Sequence, residues 1–487
     1  MRGAEGLKKK LGVSIRGICE MTKNDDTPST RKVRRGVRGG KRGQGHRLQR
    51  EGRRVRRPDP TAIRTDATEA SLTSAAGLVG FAAYVRRLGV DRALRERFGH
   101  LKTGMFVVYP MAAQLRLLLD AFVAGEGRVF GIEALASDPL FVHLAGGFVP
   151  SIDVLYDDLM RFSEPELAAL EDLVAEHGLA QLRGRGLARV HVDIDTTVTE
   201  IYGAQEGAKV GPNPRHRGRP SYHPLLARVA EIDAVIGARL RPGDTSFGEA
   251  DVPTIRVWLE RLRAAVGPDC VVVVRVDAAG DCTALFRAFD ELGVLFVVKG
   301  RQTQDLVGAL AAWKAWRTVD VDADERATRQ VATAVFGRGE WREHGVSVRV
   351  VAVRSRERDT GKQVYLWPEL DFSVQVYFTN DWHAHEDELA HTYDARAGIE
   401  PLIAELKGGF AIGKYPSASF DANHAAFLLK LLAYNLLRRY VEDDIPELTT
   451  WRVAWIRRAV VLRPGRIVRS GRGTTLRTRP LSLHMLC

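Results

Sequence analysis

The run VVVVRVD at residues 271–277 places the strongest constraint on the fold of this 487-residue chain. A continuous β-branched apolar run is typical of a strand that is buried on both faces of a sheet. Periodicity predicts further strands and helices around it. The strands are expected at 187–195, 222–232, 234–244 and 294–300, and the helices at 252–267 and 282–293.

Three strands, a helix, a strand, a helix and a strand therefore follow one another in this part of the chain. That order is expected of an α/β fold with a ribonuclease H-like, retroviral-integrase-like core, a mixed sheet with helices packed on it. The next segment, 301–385, opens with a short helix and is otherwise mostly β-patterned, so we expect a β-rich insertion. Five of the eight tryptophans fall in it, namely Trp313, Trp316, Trp341, Trp367 and Trp382.

Helical periodicity dominates on both sides of this predicted core, and basic segments lie at the two ends. The tail after residue 465 is basic and contains Gly and Thr, so we expect poor order there. The predicted divisions are a disordered basic tail at 1–66, a helical DNA-binding and dimerisation region at 67–186, the first part of the core at 187–300, the insertion at 301–385, the last core helices at 386–445 and a basic C-terminal tail at 446–487.

The net positive charge of the chain is confined to its N-terminal tail. Residues 1–66 contain 20 lysines and arginines against 7 acids, whereas the remainder is nearly neutral. A segment so charged and so poor in apolar periodicity cannot offset its ordering entropy, so we expect disorder. Two interpretations stay open: salt-sensitive phosphate binding, or a solvated extension that reflects Met1 rather than Met21 as the start.

Cysteine spacing and hydropathy indicate a reduced protein without a membrane span. The four cysteines, Cys19, Cys270, Cys282 and Cys487, show no CxxC spacing, which favours buried thiols in a cytosolic protein. The most apolar stretch, 105–125, carries Arg116 and Asp120 and falls short of a spanning helix. The first residues lack the apolar core of a signal peptide.

Two aspartates end predicted strands of the sheet. Asp195 ends the first strand and Asp277 ends the buried one, and such strand ends make a natural site. With a third acid from a helix they would bind divalent metal through hard oxygen ligands, which suits phosphodiester chemistry. Asp193 lies two residues before Asp195 and is interpreted as a supporting or surface acid. Asp281 is expected to cap the helix that follows.

The segment 386–407 is predicted to be one helix, and it carries a sharper signal. Tyr393, Arg396, Glu400 and Lys407 stand at offsets 0, 3, 7 and 14. At 100° per residue, all four fall within an arc of about 60° along about 21 Å of an ideal helix. One face would thus present an acid that binds metal beside two cations that grip phosphates. The alternative is a solvated, salt-bridged helix face.

Tyr-x2-Arg-x3-Glu-x6-Lys resembles the signature of one large group of DDE transposases of bacterial insertion sequences. Other segments resemble the same family: DIDTT at 193–197, QEGAKVGPNPRHRGRPSYHPLLA at 205–227, VRVD at 274–277, VYFTND at 376–381 and LLAYNLLRR at 431–439. The resemblance covers roughly residues 75–445. It implies the ribonuclease H-like core, interrupted by a β-rich insertion, that the element order also predicts.

The resemblance implies a DNA transposase with two Mg²⁺ (or Mn²⁺) ions per site, held by Asp195, Asp277 and Glu400. Tyr393, Arg396 and Lys407 would contact phosphates at the transposon ends, and a tryptophan of the insertion would stack on a flipped base. Hydrolysis at an end of the element would free a 3′-hydroxyl. This hydroxyl would then attack the opposite strand to form a hairpin, and finally the target. The partners would be double-stranded DNA and a second copy of the chain, in the bacterial cytoplasm at the nucleoid, with no membrane.

Two groups of basic or imidazole side chains remain ambiguous. The loop GPNPRHRGRP at 211–220 adjoins Asp195 in sequence, and its Arg215, Arg217 and Arg219 either contact the DNA backbone or form a solvated hairpin. The histidines show no metal-binding spacing with a matching carboxylate or cysteine. We expect solvated or hydrogen-bonded side chains at His191, His223, His383, His385 and His391.

Two departures from the family pattern keep alternative functions open. Pro401 directly follows Glu400 and predicts a kink or a helix start there. AAGDC follows Asp277 where relatives usually have a small residue and then an aromatic one. The alternatives are a catalytically inactive descendant that binds DNA and a plain metal-dependent nuclease.

Overall fold

A mixed sheet of nine strands runs through this chain in its computed structural model. The structure describes residues 68–213, 217–323, 325–356, 372–471 and 473–481, so the predicted basic tail at 1–66 lies outside the described residues. The strands are β1 Leu72–Thr73, β2 Arg189–Thr196, β3 Thr199–Glu200, β4 Lys209–Val210, β5 Pro220–Tyr222, β6 Leu225–Val229, β7 Ala234–Arg239, β8 Val271–Val276, β9 Leu295–Lys299, β10 Arg317–Val321, β11 Ala327–Ala334, β12 Arg349–Arg356, β13 Phe372–Thr379, β14 Gly465–Ser470 and β15 Gly473–Thr478.

Helices precede, separate and follow these strands. They are α1 Leu78–Arg87, α2 Val90–Phe98, α3 Met111–Ala124, α4 Ile132–Leu135, α5 Pro139–Leu144, α6 Ile152–Leu159, α7 Glu164–Leu179, α8 Val252–Val266, α9 Thr283–Glu291, α10 Gln304–Ala312, α11 Gly339–Glu343, α12 Glu386–Asp394, α13 Ile399–Gly409, α14 Phe420–Asp444 and α15 Val453–Ile456. Among the described residues, no helix has the length and apolar character that crossing a membrane requires.

The large sheet has the strand order β10-β11-β12-β13-β9-β8-β2-β6-β7. Strands β2, β8 and β9 are parallel, and every other neighbouring pair is antiparallel. The predicted order of three strands, helix, strand, helix and strand is therefore present as β2, β6, β7, α8, β8, α9 and β9. The four strands expected as an insertion join the same sheet, because β13 pairs with β9.

The buried strand β8 has apolar neighbours on both faces, as its sequence predicts. Val272, Val274 and Val276 pack in one cluster with side chains of α8 and α9. Val273 packs on the opposite face, in a cluster that includes Leu389 of α12. Since both faces are covered, an uninterrupted run of valines is favourable here.

The N-terminal helices pack around α14, whose 25 residues are mostly buried. Helix α7 lies between α14 and the edge strand β7. Asn435 of α14 fixes this arrangement, because its side chain donates to the backbone oxygens of Val174 and Val235 and accepts from the Val235 N–H.

The prediction of one continuous helix over 386–407 is wrong, whereas the prediction of a kink or a helix start at Pro401 is confirmed. Helix α12 ends at Asp394, a 3₁₀ turn spans Ala395–Gly398, and α13 begins at Ile399. Pro401 explains the break, because its ring would clash with the carbonyl of Ala397 in a continuous α-helix and it has no N–H to donate. Within the first turn of α13 that missing donor costs nothing, since no N–H there has an intrahelical partner.

The expectation of poor order after residue 465 is wrong for most of that segment. Strands β14 and β15 form a hairpin, and β14 pairs with β1. Just before the hairpin, the buried Arg457 donates from Nε to the Val123 oxygen at 2.9 Å, from Nη2 to the Phe122 oxygen at 2.7 Å and from Nη1 to the Gly409 oxygen. Its guanidinium therefore neutralises the C-terminal ends of α3 and α13.

Candidate active site

Asp195 and Asp277 lie side by side at the ends of two parallel strands. The pairing of β2 with β8 ends with Ile194 opposite Val276, so the next residue of each strand is one of the two aspartates. Asp195 Oδ1 accepts from the Thr196 N–H at 2.8 Å. Asp277 Oδ1 accepts from the Ala279 N–H at 2.9 Å. The segment AAGDC, which differs from the family pattern, starts with a short 3₁₀ turn, Ala278–Gly280, and Asp277 caps the beginning of this turn.

Glu400 and Arg396 share this site. Burial is the main cause that raises the pKa of Asp195 to about 6; Arg396 opposes the rise, and the charges of Asp277 and Glu400 contribute to it. Arg396 Nη2 lies 3.0 Å from Asp195 Oδ1. Apart from this ion pair, its Nε and Nη2 atoms are buried and have no hydrogen-bond partner among the described residues. The structure therefore places two aspartates at neighbouring strand ends beside a guanidinium that retains free donors, with Glu400 close enough to act electrostatically on Asp195.

Tyr393 borders the same cluster from the end of α12. Burial raises the pKa of its hydroxyl to about 12, Arg396 opposes this, and Asp277 and Asp195 add to it. Its ring packs against Tyr377, with the ring centroids 4.9 Å apart. At pH 7 the phenol is protonated and can donate a hydrogen bond to an anionic ligand.

Lys407 is the last of the four signature residues, after Tyr393, Arg396 and Glu400, and it lies two turns beyond Glu400 on α13. Its side chain is exposed, and Nζ donates to the Val198 oxygen at 3.0 Å. The 3₁₀ turn at Ala395–Gly398 interrupts the helix, so the predicted 60° arc, which assumed one ideal helix, does not apply. The charge of Glu400 nevertheless contributes to the raised pKa of Asp195. Glu400 lies in the first turn of α13, where a negative charge is favoured by the helix dipole.

The three acids fit a divalent cation by their chemistry. Carboxylate oxygens are the hard ligands that Mg²⁺ and Mn²⁺ prefer. In the parts of the chain that the structure describes, no three His, Cys, Asp or Glu side chains stand close enough to form a metal site. Arg396 is the cation nearest to Asp195 here and partly balances the acids.

A buried ion-pair network beneath the acids was not anticipated from the sequence. Asp193 is fully buried, and Arg275 of β8 contacts both of its oxygens, at 2.6 Å from Nε and 3.0 Å from Nη2. Arg228 of β6 adds a third contact, with Nε 3.3 Å from Asp193 Oδ2. The sequence does contain a signal for this ion pair, because Asp193 and Arg275 each stand two residues before a strand-ending aspartate. In the structure the two residues are opposite each other in the pairing of β2 with β8.

The arginines of this network also bind the backbone of the segment that contains Tyr393, Arg396 and Glu400. Arg275 Nη1 donates to the Thr392 oxygen at 2.9 Å, and Arg228 Nη1 donates to the Gly398 oxygen. Thr392 and Gly398 lie on either side of Tyr393 and Arg396 in the chain. The two buried arginines therefore fix the break between α12 and α13 relative to the strands that bear Asp195 and Asp277.

Gly398 is needed at this break because a side chain would collide with Arg228. A Cβ atom at Gly398 would lie 2.8 Å from Arg228 Nη2, whereas one at Gly408 of α13 would meet nothing within 4 Å. We expect Gly398→Ala to lower the free energy of unfolding by about 1–3 kcal/mol through overpacking. Gly408→Ala should raise it by up to about 1 kcal/mol. Denaturant unfolding of both variants tests this, and equal shifts would contradict the packing argument.

Asp281 does not cap the helix that follows it. Cys282 precedes α9, and the Asp281 carboxylate instead accepts from both terminal nitrogens of Arg338, at 2.6 Å and 2.9 Å, and from the Arg301 N–H. This buried pair joins the loop after β8 to the segment before α11. A bidentate arginine satisfies more of the carboxylate than a helix N-terminus can.

The other side chains singled out from the sequence lie in varied settings. Arg215 and Trp367 lie outside the described residues. Arg217 and Arg219 are exposed, and Arg219 lies 5.9 Å from the ring centroid of Tyr202. Trp341 is buried in the core, whereas Trp382 is 54% exposed; Trp313 and Trp316 are half-buried.

Two of the histidines have specific hydrogen-bond partners. His191 Nδ1 lies 2.7 Å from Glu231, and His223 Nδ1 lies 2.8 Å from the Thr245 oxygen.

One of three comparisons with known proteins identifies a family of DDE transposases. A profile of the family described as transposase DDE domain group 1 matches residues 57–480. No curated protein sequence matches the chain significantly. Among solved structures, the chain is similar to a cryo-EM structure of the piggyBac transposase synaptic complex with hairpin DNA. The sequences are 11% identical, 78% of each chain is covered, and the TM-score is 0.42.

Proposed function

This chain belongs to the family described as transposase DDE domain group 1, and from that premise we propose that it is the transposase of a bacterial insertion sequence. In this proposal it binds the terminal inverted repeats of its element, cleaves DNA there and joins the freed end to a target. The observation that carries the proposal is the pairing of β2 with β8, which sets Asp195 and Asp277 at neighbouring strand ends with Arg396 in contact with Asp195.

The catalytic residues of the proposal are the three acids. Asp195, Asp277 and Glu400 would together hold two Mg²⁺ or Mn²⁺ ions. When bound, such ions lower the pKa of water and stabilise the charge that develops on the phosphate. We assign the sheet to the ribonuclease H-like fold on the order of its elements, in which strand ends supply two of the acids.

The cations of the site have a separate task, which is to bind and orient DNA. Arg396 has buried donors without hydrogen-bond partners, so it can bind phosphate oxygens, and guanidinium groups do this with well-defined geometry. Tyr393 lies about one turn before it, and Lys407 lies two turns beyond Glu400 on α13. Holding the scissile phosphate in place and balancing its charge are the main contributions a protein makes to this reaction.

Two further parts of the proposal concern assembly. Residues 67–186 would recognise the inverted repeats and pair two ends, which requires at least a dimer on DNA. The loop arginines Arg215, Arg217 and Arg219 would contact the DNA backbone near the acids. As a DNA-bound protein, the transposase would be found with the bacterial nucleoid.

The experiment that tests the proposal is cleavage of the DNA that flanks this gene. We expect purified full-length protein to make discrete nicks at inverted-repeat ends with Mg²⁺ or Mn²⁺ and none with a chelator. Asp277→Asn should abolish the nicks, and Asp269→Asn, an exposed aspartate before β8, should not. DNA binding without cleavage in either metal would contradict the proposal. Cleavage that never joins a 3′ end to a second DNA would indicate a nuclease instead.

A further inference from the structure

A basic, aromatic recess lies on the surface beside Lys407 of α13. Two adjoining cavities of about 260 Å³ and 380 Å³ form it, and Glu200, Tyr202, Gly413 and Lys414 line both. We call this recess the lysine groove. It begins at Lys407 on α13, about 10 Å along the helix from Glu400.

The charge of the lysine groove is strongly positive. Lys407, Lys414, Lys430 and Arg128 line it, whereas Glu200 is the single acid among its described lining residues. Lys414 and Arg128 are exposed, and neither is ion-paired with a carboxylate in the described parts of the chain. An anion would therefore supply charge that the protein itself does not.

Lys430 lies beneath the groove and shapes its floor. It lies on α14 with 1% of its surface exposed and donates to the oxygens of Ala411 and Lys414, at 2.8 Å and 2.5 Å. Burial is the main cause that lowers its pKa to about 7, and the positive charges of Arg128 and Lys414 contribute to the lowering. Its Nζ therefore fixes the 411–414 turn, and the positive charge of the groove comes from its exposed cations.

Aromatic rings accompany these cations. Tyr202 is 78% exposed, and its hydroxyl donates to Glu200 at 2.7 Å, which restricts the ring's orientation at the surface. Phe130 is 49% exposed at the other end of the groove, with the Arg128 guanidinium 5.7 Å from its ring centroid. Exposed rings interleaved with cations are the usual means of binding unpaired nucleic acid, in which base faces are accessible.

We propose that the lysine groove binds an unpaired DNA strand beside the acidic cluster, with a base stacked on Tyr202 and phosphates on Lys414 and Arg128. Cavities of about this size hold small ligands, and a single unpaired nucleotide is of that class. The inference rests on the proposed function in one respect, namely that the polymer handled at this site is DNA.

The test is binding of the full-length protein to a labelled dT20 strand and to a labelled blunt duplex, measured by fluorescence anisotropy. Tyr202→Ala should weaken dT20 binding by roughly 5- to 150-fold, the contribution of one stacked base, and should leave duplex binding within about twofold. Tyr202→Phe keeps the ring and should bind as the wild type does. Phe148→Ala, which removes another exposed ring outside the groove, is the matched control.

Salt dependence tests the phosphate contact separately. Lys414→Ala should reduce the slope of log K against log salt for dT20 by about 0.7, the value for one phosphate contact on a single strand. The basic segment 1–66 is present in every variant, so its contribution cancels. Unchanged dT20 binding by Tyr202→Ala, equal losses on both probes, or no binding of dT20 by the wild type would overturn the proposal.

These outcomes are distinguishable from failure of the transposase proposal. If the protein binds dT20 through Tyr202 but never cuts DNA with metal, single-strand binding by the groove is supported and the transposase proposal is contradicted. If it cuts inverted-repeat ends while Tyr202→Ala binds dT20 normally, single-strand binding by the groove is contradicted and the transposase proposal is supported.

Discussion

Glu400→Gln is expected to lower metal-dependent cleavage by about 10³-fold while DNA binding stays within about twofold. The change removes one anionic ligand and keeps the size of the side chain. Stabilisation of the developing charge by a bound metal is worth several kcal/mol, and each 1.36 kcal/mol corresponds to a factor of ten in rate. Because Glu400 is exposed in the first turn of α13, its replacement should leave folding unaffected.

Cleavage of an inverted-repeat substrate under single-turnover conditions measures this effect. Glu388→Gln is a suitable control, since it makes the same chemical change at an exposed position of α12. A Glu400→Gln rate within tenfold of the wild type would remove Glu400 from the catalytic set. If the wild type itself binds but does not cut, Pro401→Ala is the informative variant, because it removes the ring that breaks the helix beside Glu400.

Arg275→Met is expected to lower the free energy of unfolding by about 3–5 kcal/mol. The substitution leaves Asp193 buried with only Arg228 nearby, and breaking a buried pair from one side is far more costly than removing both partners. It also removes the donor to the Thr392 oxygen, so the α12–α13 break loses one of its two attachments to the sheet.

Denaturant unfolding followed by tryptophan fluorescence measures the loss. Arg256→Met is the matched control, because Arg256 pairs with Glu291 near the surface, where an ion pair contributes about 1 kcal/mol at most. A loss of less than about 1 kcal/mol for Arg275→Met would mean that the network contributes little to the stability of the fold.

Strand burial was readable from the sequence because it depends on local composition. The valines of 271–277 predict β8 and its two covered faces, and strand-ending aspartates predict a shared site. The ion pair of Asp193 with Arg275 was harder to predict from the sequence. It depends on the register between β2 and β8, and register is determined by two segments that are far apart in the chain.

Helical periodicity predicted helices less reliably where a single residue, such as Pro401, prevents the helix from continuing. The quartet of 393–407 follows helical spacing, but Pro401 forces a break that periodicity alone cannot locate. The C-terminal hairpin shows the opposite error. Its strands carry three exposed arginines, Arg466, Arg469 and Arg477, and little apolar sequence. Their order comes from the pairing of β14 with β15 and with β1 far away in the chain, contacts that composition does not encode.

Helix α13 is held at both ends by arginines that come from elsewhere in the chain. Arg228 contacts the Gly398 oxygen at its start, and Arg457 contacts the Gly409 oxygen at its end. A reading frame that stops before codon 457 still encodes Asp195, Asp277 and Glu400, but its product lacks the second attachment. Decay of such a gene from its 3′ end would thus remove the attachment at the end of the helix while every acidic codon stays intact, so a degenerate copy can look functional by its motif alone.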